Sequence, residues 1–181
     1  AALLNNQAGN DNTSVGYASL FNTTSGINTA VGSAALFTLT SGSQNVAMGY
    51  QAGYSATTAN YNVIIGKDAG YSVTTGSNNT AVGYQAGKAI TTGANNVFLG
   101  YDAGVEFTDK NNCIFIGQEA GKSADVTENI AIGKRALKVV SGTGYQNIAI
   151  GNNAGESIQQ GKNNVVIGTG SGATNRGNGG A

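Results

Sequence analysis

Proline, histidine and tryptophan are absent from this sequence of 181 residues, and cysteine occurs once, as Cys113. Without histidine, the chain lacks the side chain that most often serves as a base or a metal ligand at neutral pH. A single cysteine cannot form an internal disulfide or a cysteine-rich metal site. These absences predict a protein that is not an enzyme and that binds no cofactor and no metal ion.

Charge is also scarce. Lys+Arg and Asp+Glu number 9 each, so the formal net charge is zero. Charged residues make up 10% of the chain, against about 25% in an ordinary domain. A neutral chain does not attract a polyanion, so we expect no nucleic-acid partner. No segment approaches the roughly 18 apolar residues that cross a bilayer, so we expect no membrane insertion by this segment.

Glycine, by contrast, is abundant, with 29 residues, and one glycine recurs at intervals of 16 to 18 residues. We number the repeat from this glycine as position 0. Asn occupies position −4 in nine of the ten copies, and Ala occupies position +3 in eight. The ten glycines at position 0 are Gly16, Gly32, Gly49, Gly66, Gly83, Gly100, Gly117, Gly133, Gly151 and Gly168.

A repeat of about 17 residues is too short for two helices, and it begins with alternating β-branched and small residues. Positions −3 to −1 therefore predict a short strand, with side chains −3 and −1 on one face, which we expect to point inward. A weaker second strand is predicted after the Ala-Gly turn, with an inward column at position +7. That column contains Leu39, Ala56, Val73, Ile90, Phe107, Val140 and Ile158.

Two short strands and two turns per repeat predict an all-β fold, a parallel β-solenoid of about ten 17-residue coils. Coils stacked at about 4.8 Å would make a rod on the order of 50 Å long. Proline is excluded because each coil donates hydrogen bonds to its neighbours. The stacked Asn residues are expected to bond along the rod and to their own turns. We predict a partial coil or junction over 1–11, repeats over 12–172 and a Gly-rich linker or tail over 173–181.

Position −2 points opposite to −3 and −1 and would face water in a single solenoid, yet it is almost always apolar. A strand that is apolar on both faces is usually buried on both faces. We therefore predict that this column is the interface of a homo-oligomer. The predicted interface residues are Ala30, Ala47, Ile64, Ala81, Phe98, Phe115, Ala131, Ala149 and Val166.

The repeat, best seen as Asn-Thr-Ala-Val-Gly-Tyr-Gln-Ala-Gly over 79–87, resembles known surface-fibre repeats. It is similar to NTAVGYQAG-type repeats of phage tail fibres and bacterial surface proteins, and to the head domains of trimeric autotransporter adhesins. The resemblance covers about 12–172. It implies a left-handed β-roll in a homotrimer, located outside the cell on a virion tail fibre or a bacterial surface.

The sequence thus favours a structural and attachment segment of an extracellular fibre that presents a repetitive surface to a receptor, which we expect to be a cell-surface glycan. Two alternatives remain open: an ice- or crystal-surface binder using the recurring Thr-Thr pairs, and a polysaccharide-degrading enzyme on a solenoid scaffold. Cys113 is interpreted as a small buried residue at a bulge. Exposed aromatic residues at position +1 are possible glycan contacts, although stacking between coils explains them better. These are Tyr17, Tyr50, Tyr84 and Tyr101.

Overall fold

A computed structural model describes residues 1–6, 9–124, 126–140, 144–158 and 161–172. The chain is a parallel β-solenoid in which ten three-residue strands form one sheet in chain order. The predicted tail, 173–181, lies outside the described residues. The strands of this sheet are β1 (Thr13–Val15), β2 (Thr29–Val31), β3 (Val46–Met48), β4 (Val63–Ile65), β5 (Thr80–Val82), β6 (Val97–Leu99), β7 (Ile114–Ile116), β9 (Ile130–Ile132), β11 (Ile148–Ile150) and β13 (Val165–Ile167).

A second, smaller sheet runs along the opposite side of the C-terminal coils. It consists of β8 (Ser123–Ala124), β10 (Val139–Val140) and β12 (Ser157–Ile158), in the order β12-β10-β8. The solenoid and the strand at positions −3 to −1 confirm the sequence prediction. The second strand is present in fewer coils than predicted. Among the described residues it forms a ladder in only three coils. No helix among the described residues is long and apolar enough to span a bilayer.

The strands stay in register although the repeat length varies. Ala81 aligns with Phe98, and Phe98 with Phe115, so position −2 always pairs with position −2. Variation in length is absorbed by the turns. The N-terminal residues continue the same pattern: the amide of Leu3 donates to the Ser19 carbonyl at 3.1 Å, and that of Asn5 to the Phe21 carbonyl at 3.0 Å.

Glycine is required at position 0 for two reasons. The φ angle at this position lies between 118° and 135° in all ten copies, a region that side chains with a Cβ rarely adopt. The coils also approach closely here: a Cβ on Gly83 would lie 2.5 Å from the carbonyl oxygen of Gly100 in the next coil. The glycine both turns the chain out of the strand and allows the next coil to stack on it.

The Asn column forms a buried ladder, as predicted. The side-chain oxygen of Asn79 accepts from the Asn96 amide at 3.0 Å and from its side-chain nitrogen at 3.1 Å. The side-chain nitrogen of Asn79 donates to the Gly93 carbonyl at 2.8 Å. The Asn side chains therefore hydrogen-bond to backbone amides and carbonyls of the turns, which the strand ladder does not pair. Buried backbone polar groups need such partners.

The prediction for position −2 is wrong. Its side chains point into the chain's own core, and those at −3 and −1 point outward. The Asn ladder explains which strand residues point inward. Asn at −4 must be inside to reach the turn carbonyls, and side chains two positions apart share a face, so −2 is also inside. Eight of the nine residues assigned to an oligomer interface are at most 2% exposed, and the ninth packs partly buried against the same core. They are Ala30, Ala47, Ile64, Ala81, Phe98, Phe115, Ala131, Ala149 and Val166.

Positions −2 and +4 share one space inside the coil. Where −2 is large, +4 is glycine: a Cβ on Gly70 would lie 3.1 Å from Cδ1 of Ile64, and one on Gly104 would lie 2.5 Å from the Phe98 ring. Where +4 is leucine, as at Leu36, position −2 is small, as at Ala30. The predicted inward column at +7 lies across from them and is buried, as predicted: its seven residues are at most 2% exposed.

Candidate functional site

The outward side chains of the ten-stranded sheet form a continuous apolar surface, which we call the outer face. It comprises positions −3 and −1 of every coil, twenty side chains in all, of which only Thr13, Thr29 and Thr80 are polar and none is charged. The aliphatic members are partly or strongly exposed in the single chain; Val15 is 57% and Ile167 66% exposed. Single chains rarely expose a contiguous apolar strip of this length.

Two exposed columns border the outer face. Position −5 comes just before the strand and its buried Asn, and all ten residues there are exposed with φ near +60°. Position +1 follows the glycine, and nine of its ten residues are exposed. Apart from Ile27, these border residues are polar, charged or tyrosine, which is the composition expected around an apolar contact surface.

The four tyrosines predicted as glycan contacts all lie in the +1 column and are exposed, from 38% for Tyr84 to 76% for Tyr17. Tyr84 and Tyr101 stack on each other, with ring centroids 5.2 Å apart and planes inclined by 11°. Lys67 lies between Tyr50 and Tyr84, with its Nζ 6.0 and 5.2 Å from the two ring centroids. One ring face of each stacked tyrosine is thus already covered, which narrows the surface left for a sugar.

A separate aromatic ladder occupies position +5 of four successive coils. Phe21, Phe37, Tyr54 and Tyr71 stack with centroid distances of 5.2, 5.2 and 5.1 Å. The rings are half-buried. This geometry favours a structural role, since each ring covers its neighbour along the rod.

In the C-terminal half, position +5 carries mostly charged residues in place of the aromatic rings, and these pair with residues at position +2. Glu119 accepts from Lys138 at 3.4 Å, and Arg135 reaches Glu119 at 3.7 Å and Glu156 at 2.7 Å. Asp102 lies 4.0 Å from Lys122. Burial raises the pKa of Asp102 above its ordinary value, and the nearby Lys122 offsets part of that effect.

Of each Thr-Thr pair, the threonine at position +8 donates along the rod, whereas the threonine at position +9 is exposed. The hydroxyl of Thr57 lies 3.1 Å from the Thr74 carbonyl, and that of Thr74 lies 3.2 Å from the Thr91 carbonyl. Their donors are therefore engaged within the chain. The exposed threonines at position +9 are Thr58, Thr75 and Thr92, and they extend over three successive coils, flanked by Ser41 and Asp109.

Cys113 occupies the Asn position of its coil, so the predicted bulge is wrong, although the predicted burial is confirmed. Its amide donates to Asn96 Oδ1 at 2.9 Å, and its sulfur lies 3.2 Å from the Val126 carbonyl oxygen and 3.5 Å from the Asn129 amide. The thiol thus replaces one step of the ladder. Burial raises its pKa to about 11.

The described part of the chain contains no group of three or more His, Cys, Asp or Glu side chains placed to hold a metal ion. No protein-family model, curated protein or solved structure matches the chain. The candidate functional surface is therefore the outer face with its two borders. Sequence reasoning recognised an apolar strip but placed it on the wrong side of the strand, because the bulky residues at −3 and −1 resemble core residues.

Proposed function

We propose that this chain is a structural and attachment segment of an extracellular fibre, a phage tail fibre or a bacterial surface adhesin, assembled as a homo-oligomer. The repeat resemblance favours a left-handed β-roll in a homotrimer. The observation that carries the proposal is the outer face, an uncharged apolar strip that runs the length of an uninterrupted ladder. A rod with such a strip is suited to side-by-side association with copies of itself.

Assembly is tested by placing a charge at two adjacent positions of β5. Val82→Glu puts a carboxylate on the outer face, where the single chain leaves it hydrated, so the monomer should fold and the oligomer should dissociate. Ala81→Glu buries a carboxylate in a core site that is 2% exposed, so folding itself should fail. Circular dichroism and sedimentation separate the two results. An unchanged oligomer in the folded Val82→Glu protein would exclude this face.

Attachment needs a second measurement on the assembled protein. We expect it to bind one or more bacterial surface polysaccharides without releasing oligosaccharides from them. Tyr84→Ala should weaken that binding if the +1 tyrosines contact sugar, whereas Thr92→Ala, on the opposite turn, should not. Release of oligosaccharides that persists through repurification would support the polysaccharide-degrading alternative.

A further inference from the structure

The four exposed tyrosines of the +1 column are unevenly spaced along the rod, with three intervals between them. Tyr84 and Tyr101 lie in adjacent coils, and their rings close that interval by stacking at 5.2 Å. Tyr50 and Tyr84 are two coils apart, and Lys67 fills the interval with its Nζ over both rings. The interval between Tyr17 and Tyr50 also spans two coils, but it contains no large side chain of the +1 column.

The residue between Tyr17 and Tyr50 in this column is Ser33, which is partly exposed. Its hydroxyl has no hydrogen-bond partner among the described residues. Tyr17 is 76% exposed, the highest value of the four tyrosines. Such exposure is expected of a ring on which no neighbouring side chain stacks, and it leaves both the ring and the serine hydroxyl available to a ligand.

On most of this edge, long side chains at position +2 occupy the space between columns +1 and +5. Asp68 at +2 lies 3.0 Å from Lys67 at +1. Glu119 at +2 lies 3.4 Å from Lys138 at +5. A long residue at +2 therefore bridges to either neighbouring column and fills the surface between them.

In the coils of Gly16 and Gly32, alanine stands at position +2, as Ala18 and Ala34. A methyl group is too short to fill the space between the columns, so the surface stays low there. The stacked rings of Phe21 and Phe37 border this low surface at position +5, with centroids 5.2 Å apart. The interval is therefore a slot with a tyrosine at each end, a floor of serine and alanine, and an aromatic side wall.

The length of the slot along the rod fits one six-membered ring. Successive coils are about 4.8 Å apart, so Tyr17 and Tyr50 are separated by about 9.6 Å. A ring midway between them would lie about 5 Å from each, within the range of roughly 4.5–7 Å for stacked rings. A flat aromatic ligand touching both tyrosines would span only about 7 Å, at about 3.5 Å per contact. A pyranose chair has axial hydrogens on both faces and is thicker, which suits the wider slot.

The slot also selects the stereochemistry and the charge of a sugar. An aromatic ring contacts a sugar through C–H groups, because an axial hydroxyl pressed against the ring would lose its hydration. Contact on both faces therefore requires a pyranose whose substituents are all equatorial. No charged residue lines the slot, and the nearest charge in the +1 column, Lys67, is paired with Asp68. The Ser33 hydroxyl can exchange hydrogen bonds with an equatorial hydroxyl of the ligand.

We propose that the slot between Tyr17 and Tyr50 binds one all-equatorial pyranose ring of a neutral glycan, such as β-glucose or N-acetyl-β-glucosamine. The inference rests on the attachment proposed above and narrows it from the whole +1 column to one site. Tyr101, by contrast, has one face covered by Tyr84 and offers a ligand a single face.

Filling the slot tests the inference without changing the architecture. Ser33→Tyr places a ring between Tyr17 and Tyr50, and tyrosines in adjacent coils already stack at Tyr84 and Tyr101. The variant should therefore fold and assemble as the parent does, which circular dichroism and sedimentation verify. Ser33→Ala is the matched control, because it removes the hydroxyl and leaves the slot open.

Binding is measured by saturation-transfer NMR titration with methyl β-glucopyranoside and methyl N-acetyl-β-glucosaminide. Methyl β-mannopyranoside, whose 2-hydroxyl is axial, is the control ligand, and free indole is the flat one. We expect the parent to bind at least one of the first two ligands, and the mannoside at least about fivefold more weakly than the glucoside. Ser33→Tyr should abolish binding, whereas Ser33→Ala should weaken it by about two- to tenfold, the value of one hydrogen bond.

Equal binding by the parent and by Ser33→Tyr would overturn the slot and leave the proposed attachment in place. So would a parent that binds bacterial polysaccharides but neither equatorial glycoside. Indole bound at least as tightly as these glycosides would assign the slot to a flat aromatic ligand and overturn the sugar. A parent that binds no polysaccharide at all would instead refute the attachment on which the inference rests.

Discussion

At the scale of single residues, the interior is organised by an exchange of volume between positions −2 and +4. A narrow solenoid has room for one large side chain there per coil. Ile64 takes the space with Gly70 opposite, whereas Leu36 takes it with Ala30 opposite, and Ile64 and Leu36 are both buried. Both arrangements fill the space without overlap. Three coils pair Ala at −2 with Gly at +4, and there side chains of neighbouring coils supply the volume, as Leu36 and Ile64 do beside Gly53.

Replacing the Ile64–Gly70 pair by an Ala–Leu pair tests whether positions −2 and +4 share one space. Ile64→Ala should destabilise the protein by about 2–5 kcal/mol through the cavity it leaves. Gly70→Leu should cost about 1–3 kcal/mol through overlap with Ile64. The double variant copies the Ala30–Leu36 pair, so its loss should be smaller than the sum of the two. Denaturation of all four proteins measures the coupling; strict additivity would show that the two positions do not share space.

Cys113 is a second residue-scale test. Cys113→Asn restores the ladder between Asn96 and Asn129 and should raise stability by about 1 kcal/mol, the net value of a buried hydrogen bond. Cys113→Ala, which removes the sulfur contacts without replacement, is the control and should lower it. Thermal unfolding ranks the three proteins, and a Cys113→Asn protein less stable than the parent would contradict the ladder geometry.

At the scale of elements, one edge of the rod is stabilised in two chemically different ways. Position +5 stacks aromatic rings from Phe21 to Tyr71, and from Lys88 onward it carries mostly charged residues that pair with position +2 of neighbouring coils. Stacking is insensitive to salt, whereas ion pairs near the surface are screened by it. The two halves should therefore respond differently to ionic strength.

The contrast is measured with Glu119→Gln and Tyr54→Ala. Glu119→Gln removes the partner of Lys138 and Arg135, and glutamine already occupies the equivalent position at Gln51 and Gln85. It should lower stability by up to about 1 kcal/mol at low salt, and the difference should vanish near 1 M salt. Tyr54→Ala should cost more than about 0.5 kcal/mol at every salt concentration. A salt-independent effect of Glu119→Gln would show that these ion pairs do not stabilise the edge.

The repeat elements were largely predictable, and the side on which each residue lies was not. The strand at −3 to −1, the inward column at +7 and the Asn ladder all follow from the period. The inward face of the strand was predicted wrongly because Ala81 and Ala131 suit either face, while Val82 and Ile132 resemble core residues. Two signals define it correctly: the Asn at −4 must reach turn carbonyls inside, and large residues at −2 occur only with glycine at +4.

At the scale of the whole molecule, every strand of the long sheet contacts only the coil before it and the coil after it. Stability is then a sum over neighbouring coils, as in other repeat proteins. The variable turns are accommodated without loss of register, as the 16-residue and 18-residue spacings show. The length of the rod can therefore change by whole coils without altering the chemistry of the outer face.

The ladder bonds that join coils run along the rod, and this has a mechanical consequence. Force applied through the two ends of one chain loads the outermost coil first, because the bonds of successive coils are in series. Each coil that peels away frees about 17 residues, or roughly 60 Å of extended chain. A stretched chain should yield in regular steps from its ends and not in a single rupture. In the proposed assembly, lateral contact along the outer face would bind each coil to a neighbouring copy and raise the force of every step, so most coils would stay folded under repeated loading.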